Sequence, residues 1–261
     1  KSLADLEALY KKIQAGGVAA VQISHDDWSL ANHFLTTAFD TQDDYTSYIS
    51  GLKSGSNDIS GNETYKGLLD VLNLNMKYNV YKSSPMSSDY TTSDPTNIAT
   101  GKVAFWFNGE WVMSNVKQFL TGSHANDEFG FLPVFADSKT STCISAGVTK
   151  AIIIDDTKTT DAQKKAANEF LSWFVDDEAG QKALVNDMGI IPAFTNVTLQ
   201  PSDDLSKSIV SYMKDGNTIP FNTISGDFYT KIGAYMQQYL VGKMDASALS
   251  KSINDYFKSS N

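Results

Sequence analysis

Apolar side chains recur at helical spacing from the start of the chain. Leu3, Leu6, Leu9, Tyr10 and Ile13 share one face, Ser2 stands as an N-cap with Asp5 three positions on, and Gly16-Gly17 closes the helix. Val18 to Ile23 reads as a short strand, and His25-Asp26-Asp27 offers caps for a helix from Trp28 to about Phe39. Residues 40–61, rich in Asp, Ser, Gly and Tyr, read as a short helix and loop. Tyr65, Leu68, Leu69, Leu72 and Met76 form the next apolar helical face. The polar stretch 82–100 carries two prolines and reads as surface loop.

Val103 to Phe107 is a strongly apolar strand. Asn108-Gly109 turns it into a helix carrying Trp111, Val112, Val116, Phe119 and Leu120. Phe129 to Leu132 predicts another strand, closed by Pro133, and the Ser/Thr-rich segment 136–149 reads as a crossing between lobes. Ala151-Ile152-Ile153-Ile154 is a continuous apolar run, the pattern of a strand buried on both faces. Asp161 opens a helix with Ala162, Ala166, Phe170, Trp173 and Phe174 inward. Further helices follow near 177–186, 203–214, 226–241 and 246–257. Strands alternating with helices predict an α/β architecture.

Composition narrows the chemistry. The chain has 261 residues and is 41% hydrophobic, enough for one large or two modest domains and too apolar for a disordered chain. Net charge is -9 and every basic residue is Lys, so the bidentate guanidinium that grips phosphate and reads bases is missing. That argues against nucleic acid as a partner. No stretch approaches the ~18 apolar residues of a membrane span. Cys143 is alone and there are three His, which leaves little for a metal site and permits no internal disulfide. No cofactor is implied. Without a basic and apolar leader at the start, two origins stay open: a cytosolic protein, or a piece of a longer secreted one.

The stretch GKVAFWFNGEW, Gly101 to Trp111, resembles the G-K-x-A-(M/F)-x-x-N-G-x-W segment of extracellular solute-binding proteins of ABC sugar importers, the maltose-binding-protein-like group. LADLEALYKKIQAGGVAAVQIS resembles a helix–strand unit of their C-terminal lobe. FGFLPVF resembles the strand after the Trp helix, with Phe135 replacing a second proline. KAIIIDDTKTTDAQKKAANEFLSWFVDDEAGQKAL and MGIIPAF resemble the later segments in the family's order. The resemblance implies a type II periplasmic-binding-protein-like two-lobe fold. It places 1–146 and 191–261 in the C-terminal lobe and 147–190 in a partial N-terminal lobe, with 144–148 and 188–193 as hinge strands. The first part of the N-terminal lobe has no counterpart here, so the expectation is a truncated fragment whose missing partner is that segment. The implied setting is extracellular, lipid-anchored or periplasmic.

A sugar site needs aromatic faces for C–H surfaces and carboxylates for hydroxyl pairs. Three clusters beside helix starts supply them. In the first, Asp27 and Trp28 are ligand contacts by the resemblance; the rival is Asp26 or Asp27 as an N-cap with Trp28 in the core. In the second, Trp111 matches the family's stacking Trp, Glu110 either binds a hydroxyl or favours the helix N-terminus, and Asn108-Gly109 reads as a structural turn. In the third, around Ser225, Asp227 and Phe228 are contacts, or else a cap and a core ring. Trp106, Trp173, Phe174, Cys143, His33 and His124 are assigned structural or surface roles.

The leading function is non-catalytic binding of an oligosaccharide for delivery to an ABC permease. A glycoside hydrolase would have to enlist Asp27, Glu110 and Asp227, and no G-x-S-x-G, P-loop or H-E-x-x-H signature accompanies them. A surface carbohydrate-binding or sensor module is the other alternative.

Overall fold

The computed structural model describes residues 2–148, 151–224 and 226–260. The first helix runs Leu3–Ala15, with the Ser2 hydroxyl oxygen accepting from the Asp5 amide at 3.2 Å. It feeds the strand Ala19–Gln22, which pairs in parallel with Val103–Trp106 in the register Ala19↔Val103, Val21↔Phe105 and Gln22↔Trp106. A second parallel pair joins Ile144–Ser145 to Thr218–Ile219. The α/β reading holds, with helices covering short parallel sheets.

The largest core gathers Phe34, Phe39, Tyr65, Leu68, Leu72, Phe228, Ile232, Met236, Ile253 and Phe257. It joins the Glu63–Tyr78, Phe228–Leu240 and Ala246–Ser259 helices to the helical stretch 29–40. Two polar ties cross it: Tyr65 and Ser250 share a hydrogen bond at 3.0 Å, and the Ile59 amide donates to Asn254 Oδ1 at 3.0 Å. A separate small core of Leu184, Val185 and Val197 belongs to the 161–199 region. Carboxylates cap two helices: Asp44 accepts from the Ser47 amide and Asp177 from the Ala179 amide, each at the start of a helix.

Several expectations are corrected. Phe129 to Leu132 forms no strand; the Phe131 amide instead donates to Ser208 Oγ and its carbonyl accepts from the Tyr212 hydroxyl. Ala151 to Ile154 is likewise irregular, with Ile152 65% and Ile153 87% exposed, because no strand among the described residues offers it a ladder. Ile144–Ser145 pairs with Thr218–Ile219, and 188–193 carries no strand. The segment called loop at 82–100 contains the helix Ser93–Ala99, whose Asp94, Pro95, Ile98 and Ala99 are buried. Phe174 packs against the small Leu184, Val185 and Val197 core as expected, whereas Phe170 and Trp173 lean on it and on each other and stay 54% and 40% exposed.

Candidate functional site

The parallel pairing of Ala19–Gln22 with Val103–Trp106 sets where the chemistry lies. Both strands point the same way, so the turns leaving their C-terminal ends, 24–28 and 107–111, emerge side by side. A buried polar network fixes the first turn. Trp106 Nε1 donates to Ser24 Oγ at 2.8 Å, and Ser24 donates to Asp94 Oδ2 at 3.2 Å. Tyr81 donates to the other oxygen of Asp94 at 2.7 Å, and Gln22 to its carbonyl at 2.8 Å. Burial raises the Asp94 pKa against these hydrogen bonds. On the far side Gln237 donates to the His25 carbonyl at 2.9 Å, tying the turn to the Phe228–Leu240 helix.

Trp28 and Trp111 meet at the end of these turns, with ring centroids 6.3 Å apart and planes inclined 62°. Three further rings join them. Tyr90 stands edge-on to Trp28 at 5.3 Å; His33 contacts Trp28 and Trp111, each at 5.0 Å; Phe221 contacts His33 at 5.3 Å. All five side chains are half-buried, so the cluster forms a wall that solvent reaches. Edge-to-face contact of this kind holds the rings in fixed orientation.

Three of the rings come from places the sequence reading did not select. Tyr90 sits in the loop after Ser88, which holds the His25 amide at 3.0 Å. Phe221 follows the Thr218–Ile219 strand. His33 lies on Ser29–Leu35, a widened π-type helix whose end shows an i→i+5 bond from the Thr36 amide to the Ala31 carbonyl at 3.2 Å. In an α-helix five residues turn the chain through ~500°, leaving Trp28 and His33 about 140° apart. The widened turn brings them back to one face. Burial alone lowers the His33 pKa to about 4, so its imidazole is neutral near pH 7.

The expected carboxylates divide. Asp27 is half-buried beside Trp28, and its Oδ1 accepts from the Trp28 amide at 2.7 Å. Its backbone rests on Gly233 of the facing helix. Neighbouring Asp26 has Oδ2 buried without a partner, and burial raises its pKa. Glu110 is half-buried at the start of the turn that carries Trp111. Asn108 Oδ1 accepts from the Gly109 amide at 2.9 Å, the turn role expected of it.

The third cluster is corrected. Phe228 is 0% exposed, packed between Phe39 and Phe257 in the main core, so its ring cannot meet a ligand. Asp227 pairs with Lys231 at 2.9 Å and accepts from the Tyr256 hydroxyl at 3.1 Å. Lys231 and Tyr256 hold its pKa below the usual range, and both partners lie on helices rather than in the wall. Ser225 lies outside the described residues. His124, assigned a structural or surface role from the sequence, bonds Asp127 at 2.7 Å.

Residues 1–209 match the family described as bacterial extracellular solute-binding protein. No curated protein matches the chain. Among solved structures it resembles a Streptococcus pneumoniae solute-binding protein in complex with the blood group A-trisaccharide, at 17% identity and a TM-score of 0.63. That match covers 99% of this chain and 64% of the other. A putative binding protein, MsmE, from Bacillus subtilis subsp. subtilis str. 168, in an open conformation, matches at 13% identity, TM-score 0.67, with 98% and 63% covered. A chitin oligosaccharide binding protein matches at 14% identity, TM-score 0.62, with 98% and 64% covered. The chain thus spans just under two thirds of the length of these structures and shares their fold over that span. Among the described residues no helix is long and apolar enough to cross a membrane.

Proposed function

We propose that this chain, which belongs to the family of bacterial extracellular solute-binding proteins, binds a saccharide on the wall formed by Trp28, Tyr90, Trp111 and Phe221. The observation that carries this is the convergence of half-exposed aromatic rings from separate segments at the C-terminal end of one parallel strand pair. Pyranose C–H faces stack on such rings, and Asp27 and Glu110, half-buried at the same two turns, are placed to take hydroxyls. Two of the structural neighbours are described as carbohydrate binders, which supports the choice of ligand class. The binding is non-catalytic.

The wall is one face of a cleft in this proposal. Residues 1–146 and 191–261 form its lobe, and 147–190 belongs to a second lobe. Closure of the two lobes on the sugar favours the closed state in proportion to its extra contacts. The closed, loaded protein hands its cargo to ABC permease subunits, outside the cell and held by a lipid anchor. Calorimetry of purified protein against oligosaccharides tests the core of this proposal. Saturable binding that Trp111→Ala weakens is the expected result, and unchanged affinity in that variant overturns the site.

A further inference from the structure

We propose that His33 is the hydroxyl-reading residue of the aromatic wall: its imidazole hydrogen-bonds a hydroxyl of the sugar stacked beside it and so selects among saccharides. This rests on the saccharide reading of the site and adds a residue that neither the family motif nor the turn chemistry marks. The imidazole is gripped on three sides, edge-to-face with Trp28, Trp111 and Phe221 at 5.0, 5.0 and 5.3 Å. Those contacts are all with aromatic rings. Neither ring nitrogen has a hydrogen-bond partner among the described residues, while His25 and His124 each bond a neighbour.

Among the described residues the buried polar side-chain atoms without partners are Asp26 Oδ2, Asn32 Oδ1, Asn79 Nδ2 and Asn108 Nδ2. The His33 nitrogens are not among them, and the residue as a whole is half-buried. A polar group held rigidly in an apolar wall with its bonding capacity unspent is costly when buried alone and specific when a ligand satisfies it. Neutral imidazole offers one donor and one acceptor, the complement of a hydroxyl. Burial keeps the ring neutral at physiological pH, so both functions persist there.

The test starts from a glycan array that includes chitin oligosaccharides and the blood group A trisaccharide. The strongest binder is then titrated by calorimetry into wild type, His33→Phe, His33→Gln, Trp28→Ala and Trp111→Ala. The expected result is a loss of about tenfold or more in His33→Phe, partial recovery in His33→Gln, and a narrowed preference between array partners. Wild-type affinity and selectivity in His33→Phe overturn the role of His33 while leaving the wall intact. Wild-type affinity in both tryptophan variants, or an array with no bound glycan, overturns the saccharide site itself. Should His33→Phe fail to fold, imidazole ¹⁵N shifts in wild type decide: the His33 signals move on ligand addition if the bond forms, and stationary signals refute it.

Discussion

The indole of Trp111 lies across the α-carbon of Gly109, so close that a β-carbon at 109 would stand 2.0 Å from Cζ3 of the ring. The glycine is required by approach rather than by dihedral, since its φ of -105° is open to any residue. Gly109→Ala should therefore push the indole out of the wall with little effect on the core. The expected outcome is a shifted tryptophan emission maximum and sugar affinity weakened by about tenfold, read by fluorescence and calorimetry.

Trp28 and Trp111 are in contact, so their truncations should not add. Each alanine variant is expected to cost about 1 kcal/mol or more of binding energy. A double-mutant cycle should show a coupling of about 0.5 kcal/mol or larger. Strict additivity would mean that the two rings serve separate ligands or none.

Gly233 makes a similar approach from the other side. A β-carbon there would be 2.4 Å from Cβ of Asp27 and 2.6 Å from its Cα, which is backbone and cannot swing aside. Gly233→Ala should separate the Phe228–Leu240 helix from the 24–28 turn. The expected cost is about 1–3 kcal/mol in denaturant unfolding, together with weakened binding, because the turn that carries Trp28 moves.

Two buried groups give stability opposite dependences on pH. Asp40 is 3% exposed, and burial raises its pKa from 3.8 to about 6 although Asn222 donates to both its oxygens. Its raised value means the folded state takes up a proton, so its contribution is fully present below about 3.8 and is lost as pH rises through 6. His33, lowered from 6.5 to about 4, contributes above 6.5 and loses that contribution as pH falls through 4. From pH 7 to pH 4, Asp40→Asn should lose stability more steeply than wild type and His33→Phe less steeply. The Asp40 difference should reach roughly 2–3 kcal/mol across that window. Parallel curves for all three proteins would refute the assignment.

How much of this was legible in the sequence depended on whether local pattern or distant pairing decided the outcome. Trp28 and Trp111 were legible because each follows a strand and a turn signal, and parallel strands deliver such turns to one edge. Helices were legible from their apolar periodicity, and the first also from its Ser2 cap. Tyr90 and Phe221 were not, since they sit in segments without periodicity and reach the wall only through tertiary placement. His33 escaped because a 3.6-residue period puts it on the wrong face, and nothing local announces the widened turn. The Ser93–Ala99 helix was missed because a buried network around Asp94, rather than an apolar stripe, holds it. Phe228 misled in the opposite sense: a ring after an Asp at a helix start looks the same whether it faces core or cleft. The apolar runs 129–132 and 151–154 show that strand propensity is only an offer, taken up when a neighbouring ladder exists.

Ile152 and Ile153, and separately the paired rings of Phe170 and Trp173, are exposed apolar side chains within 151–176. Water bears a real free-energy cost against such a surface. This 261-residue chain on its own should bind hydrophobic dyes through these side chains. Charged replacements at Ile152 and Ile153 should reduce that dye binding without touching the ring wall.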